Sequence, residues 1–175
     1  LSSRNTKTKA VLRELTVLSR ELHTKAKLQG AVYRLVIELG KEGEGDKSAQ
    51  AYWVERAKGN SVIKPNEEEA AMERAKETDE KKRADPRGFE LDKSVIKKPR
   101  ELPSGMRFEK VELTRSKKPI QYGRAYIHFM PQGLVDEAAI HIKGEKTQAW
   151  TISIHPLTGK AEVINNAKDL KDITS

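Results

Sequence analysis

The sequence contains no cysteine, which excludes disulfides, thiolate nucleophiles and cysteine-ligated metal. Aromatic residues make up only 5% of the chain, while 34% of it is charged, against about a quarter in an average globular domain. No stretch of about 18 apolar residues occurs, so the chain as given has no bilayer-crossing helix. No internal repeat is present. There is no nucleophile elbow. The histidines, His23, His128, His141 and His155, include no pair spaced to share a metal. His141 and His155 alternate with Ile140, Ile142, Ile152 and Ile154, which predicts solvent-facing imidazoles. No catalytic, cofactor-binding or metal-ligating residue is therefore expected, and the chain is expected not to be an enzyme or to bind a small-molecule substrate.

One glycine-rich stretch, Gly40 to Ser48, approaches a phosphate-binding loop but fails its rule. Asp46 stands between Gly45 and Lys47, and Glu42, Glu44 and Asp46 would repel phosphate. The stretch also precedes a predicted strand, where a bound anion needs the start of a helix. A mobile hairpin loop is the expectation.

Charge is plentiful and uneven. The net charge is +8. Residues 1–30 hold seven Lys/Arg against Glu14 and Glu21, and residues 93–124 hold ten against three acids. A basic balance suits solubility or an anionic partner. In the stretch 93–118, Phe108 is the only aromatic residue, so the aromatic interleaving typical of single-strand binding is missing. A solvated basic edge is the simpler reading. If this stretch bound anions, Lys97, Lys98, Lys117 and Lys118 would be the candidates.

The apolar pattern organises the rest. Val11, Leu15, Leu18, Leu22 and Ala26 recur at three- and four-residue steps, predicting a helix over 4–28 with one buried stripe, stopped at Gly30. The period then becomes two. Tyr33, Leu35, Ile37 and Leu39 alternate with Val32, Arg34, Val36 and Glu38 as in a half-buried strand, and a second strand over 50–57 completes a hairpin. Asn66 to Arg83 is rich in helix formers without an apolar face, predicting a charged helical or mobile insert at about 64–88. Six further strands are expected at 89–96, 106–113, 124–130, 138–143, 149–155 and 161–164. The fold class is α+β: a 1–30 helical segment packed on a 31–175 antiparallel β-sheet or small β-sandwich.

Three stretches, in order, resemble a known family. They are the helix running into Gly30-Ala31-Val32-Tyr33-Arg34-Leu35-Val36-Ile37, then Ala51-Tyr52-Trp53-Val54-Glu55, and then a C-terminal group. That group is Phe129-Met130-Pro131-Gln132-Gly133, Ala149-Trp150-Thr151-Ile152-Ser153-Ile154 and Leu157-Thr158-Gly159-Lys160-Ala161. Leu102-Pro103-Ser104-Gly105-Met106 adds to them. Together they resemble the globular part of H-type minor pseudopilins of type II secretion systems, over most of the chain except about 64–97. The family's leader and hydrophobic helix with its early glutamate are not in the sequence. With Leu1 rather than Met first, the expectation is that this segment has been removed.

The resemblance implies a pilin-like fold and a structural role. The full-length protein would sit in the inner membrane of a Gram-negative bacterium with its globular part in the periplasm. Its partners would be other pseudopilins in a helical fibre and the inner-membrane assembly platform, serving protein export. Arg4, Lys7, Arg13, Glu14, Arg20 and Glu21, beside the packing stripe, would be its assembly contacts. A minor type IV pilin serving adhesion or DNA uptake is the alternative within the fold, and a basic nucleic-acid-binding module the alternative outside it.

Overall fold

The computed structural model describes residues 2–58 and 88–173, with side chains from residue 5 onward. The expected 64–88 insert lies almost wholly outside the described residues. Helix α1 spans Ser2–Gln29. Among the described residues nine strands follow: β1 Tyr33–Gly40, β2 Ala51–Ala57, β3 Phe89–Leu91, β4 Arg100–Glu101, β5 Arg107–Leu113, β6 Gly123–Phe129, β7 Ala138–Lys143, β8 Ala149–Ile154 and β9 Ala161–Ile164. A short helix α2, Leu170–Ile173, comes last. The class is α+β with an N-terminal helix and antiparallel sheets.

The strands form two sheets. One has the order β3-β2-β1-β6, with β4 also pairing to β2, and the other is β5-β7-β8-β9. All described pairings are antiparallel. The stripe Val11, Leu15, Leu18, Leu22 and Ala26 is buried as the periodicity predicts, together with Leu12. It joins Leu35, Ile37, Val54, Ile127 and Phe129 of the first sheet to Val111, Ile140, Ile152 and Ile154 of the second in one core. Helix α1 touches β1 and β6 of the first sheet and β8 and β9 of the second. It therefore bridges both sheets.

Two glycines hold the helix in place. At Gly30 the chain turns with φ +58, a left-handed conformation that glycine adopts without strain, and Ala31 N–H closes on Ala26 O at 3.2 Å. Gly159 has φ +68, and a Cβ there would stand 2.6 Å from His23 Cβ. Its carbonyl accepts the buried Ser19 hydroxyl at 2.7 Å. The β8–β9 turn can thus press directly on the helix.

Two local expectations need correction. Strand β1 is buried on both faces rather than half-buried, with Arg34 and Val36 as inaccessible as Leu35 and Ile37. The strand expected over 89–96 is only β3, because Asp92 accepts hydrogen bonds from the backbone and hydroxyl of Ser94. Such a side-chain cap turns the chain, and Ile96 then enters the core. In β5 a register shift lies between Phe108 and Lys110. A bulge of this kind adds one residue to one strand, which lets Phe108, Val111 and Leu113 all face inward.

Candidate functional site

Outside the core stripe, α1 presents a charged face. Lys7, Arg13, Arg20 and Glu21 are exposed. Among them Val17, 46% exposed, borders a shallow groove between α1 and the start of β9, lined by Thr16, Arg20, Thr24, Lys160 and Ala161. Glu14 differs from its neighbours. It accepts the Tyr52 hydroxyl at 2.5 Å and pairs with Arg100 at 3.3 Å, so its carboxylate is already engaged within the domain. Burial, reinforced by that bond, pushes the Tyr52 hydroxyl far above its ordinary pKa. The Arg4 side chain lies outside the described residues.

The basic stretch divides into two populations. Arg100 pairs with Glu14, Arg107 donates to the carbonyls of Gly45, Asp46 and Ser48, Lys110 faces Asp169, and Arg115 pairs with Asp136. Lys97, Lys98, Lys117 and Lys118 are exposed, in two different loops, one before β4 and one before β6. Phe108 is buried in the core and so gives a base nothing to stack on. The glycine-rich loop faces a cation with its carbonyls, the reverse of a phosphate cradle. Arg107 and the Ser48 hydroxyl, which accepts Lys41 N–H at 2.9 Å, tie it down more than a free hairpin loop would be.

The outer face of the first sheet carries a network that alternation did not foretell. Arg34, 1% exposed, stacks between Phe89 and Tyr126, its guanidinium carbon 3.7 and 4.0 Å from their ring centres. It pairs with Glu55 at 2.5 Å, and Glu55 also accepts the Trp53 indole N–H at 2.9 Å. Beside it, Asp136 accepts the His128 backbone N–H at 2.8 Å and meets its Nδ1 at 2.9 Å. Burial alone would raise the Asp136 carboxyl. His128 and Arg115 outweigh it and hold the group below the usual carboxylate range.

The outer face of the second sheet is crossed by the last described residues. Thr151 Oγ1 donates to Asn166 O at 2.8 Å and accepts Lys168 N–H at 3.1 Å. Glu112 accepts Leu170 N–H at 3.1 Å. Beneath this segment His141 is 2% exposed, with Nε2 2.6 Å from Glu112 Oε1. The expectation of a solvent-facing imidazole is therefore corrected at His141, while His155 is exposed. His141 does point away from the isoleucines, but its face of the sheet is covered. Glu112, His141 and Asp169 each bring a ligand-type atom within 4.8 Å of the others. Residues so far apart in sequence leave no spacing motif.

No family model, curated protein or solved structure matches this chain. Among the described residues no helix is long and apolar enough to cross a membrane.

Proposed function

We propose that this chain is the globular part of an H-type minor pseudopilin, a structural subunit that acts by occupying a place in a pilin-like fibre. The observation that carries this reading is the way α1 is used. Its stripe from Val11 to Ala26 packs on the β domain, while Asn5, Lys7, Lys9, Arg13, Arg20 and Glu21 remain exposed. A leading helix with one buried stripe and one charged outer face suits a spine that packs against the spines of neighbouring subunits. Contacts that repeat head to tail without closing generate a helical filament. Charges of both signs set register and partner choice in such contacts more than affinity. The role needs no catalysis and no cofactor, and the partners are other pilin-like subunits and their assembly platform in the inner membrane.

Reversing Arg13 and Arg20 to Glu in the full-length protein tests this. Export and fibre assembly should fall while the purified domain unfolds at an unchanged temperature. Unimpaired assembly by the double variant would overturn the assignment of this face. The DNA-uptake reading wins if the domain binds DNA at sub-micromolar affinity in physiological salt and alanine at Lys97, Lys98, Lys117 and Lys118 abolishes it. Binding through phosphate contacts must also weaken steeply as salt rises.

A further inference from the structure

We propose that Glu112, His141 and Asp169 form a binding site for a zinc-class divalent transition metal, which fastens the C-terminal segment to the outer face of the second sheet.

The Thr151 hydroxyl gives its hydrogen to Asn166 O at 2.8 Å, so its oxygen has only lone pairs to offer His141 Nδ1, 3.5 Å away. That favours a hydrogen on Nδ1. Nε2 then turns a lone pair toward Glu112 Oε1 at 2.6 Å. In that tautomer the two acceptors need a cation between them, whereas a hydrogen on Nε2 would be donated to Glu112. A proton can serve, and so can a metal ion. Histidine that ligates through one nitrogen characteristically has its other N–H held by a neighbouring acceptor, and Thr151 stands in that position.

The donor set narrows the choice of ion. One imidazole and two carboxylates suit zinc and its neighbours, with bonds of about 2.0–2.2 Å. Calcium and magnesium take oxygen ligands almost exclusively. The three ligand atoms already lie within 4.8 Å of one another, so modest side-chain rotations would close them on one ion, with water completing a tetrahedron. Asp169 is half-exposed and gives the ion its way in. The ligands come from β5, from β7 and from the residue preceding α2, so an ion there would link two strands to the C-terminal segment.

One group opposes the ion. Lys110 Nζ sits 3.7 Å from Asp169 Oδ1 and must move aside when metal binds. That supplies a signature which a nonspecific surface site would not share. Removing the ammonium should tighten binding.

The experiment is a titration of the whole chain with zinc against a chromophoric competitor, repeated with cobalt(II) for its visible spectrum. One equivalent should bind with micromolar affinity or better, raise the unfolding temperature, and give the intense visible bands of tetrahedral cobalt. Asp169→Asn should weaken binding at least tenfold, and His141→Gln should abolish it. Lys110→Met should strengthen it, while His155→Gln should change nothing. Asp169 is at the surface, so its variant keeps the test valid even where His141→Gln does not fold. No saturable binding, or binding unaffected by Asp169→Asn and Lys110→Met, would overturn the proposal and leave a proton as the bridging cation.

Discussion

The outer faces of the two sheets both bury polar side chains, by different means. On the first sheet a cation from β1 is sandwiched between rings from β3 and β6, and one carboxylate on β2 neutralises it. On the second, a separate stretch of chain lies across the strands and is held by single side chains reaching up from them. The first arrangement is built into the sheet and fails only with it. The second can detach while the sheet survives. Charge buried within a sheet should therefore matter for folding, and charge buried under a segment for local opening.

Breaking the Arg34–Glu55 pair should have the largest effect. Arg34→Met leaves the Glu55 carboxylate buried without its cation and should cost about 3–5 kcal/mol, measured by denaturant unfolding. The apolar core supplies the reference. Leu18→Ala should cost about 2–4 kcal/mol through lost methyl contacts and the cavity left behind. If Arg34→Met costs clearly less than Leu18→Ala, the cation is not integral to the first sheet.

On the second sheet the loss should be smaller and local. Thr151→Val removes the hydroxyl that holds Asn166 and Lys168, at about 1–2 kcal/mol. Hydrogen exchange should then quicken at Lys168 and Leu170 while the β7 amides stay protected. Equal loss of protection in both places would mean that the segment and the sheet open together.

The acid side gives a further contrast. The folded-state pKa of Asp136 lies below its unfolded value, so its contribution to stability is fully present above that unfolded value, about pH 4. It disappears as the pH falls through the folded value. Asp136→Asn should be less stable than the parent at pH 7, by on the order of 1 kcal/mol. The difference should shrink as the pH falls from that unfolded value through the lower folded one. The smallest effect is expected at Arg13, whose exposed side chain can become alanine with no change in unfolding temperature.

The inner layer of the fold was legible in the sequence because burial against a core imposes a period. Val11, Leu15, Leu18, Leu22 and Ala26 mark the helix face, and Tyr33, Leu35, Ile37 and Leu39 mark the inward face of β1. The outer layer was not legible. Arg34 reads as a surface residue in any alternation, and only Phe89, Tyr126 and Glu55, contributed by three other strands, bury it. His141 likewise reads as exposed until the segment after β9 folds back over it. The shortening of β3 did leave a trace, since Asp92 and Ser94 are turn formers. Glu112 and Asp169 lie 29 and 28 residues from His141, separations that follow no local rule. Of the expected assembly residues, Lys7, Arg13, Arg20 and Glu21 are exposed as the helical period implies. Glu14 faces Tyr52 and Arg100, which only the tertiary fold places beside it.

The most direct measurement places a photo-crosslinking residue at position 20 of the protein in cells, with position 98 as the comparison. If the proposed role holds, position 20, on the outer face of α1, captures a pilin-like subunit, and position 98, in the basic loop before β4, does not. Capture from position 98 and none from position 20 would contradict it.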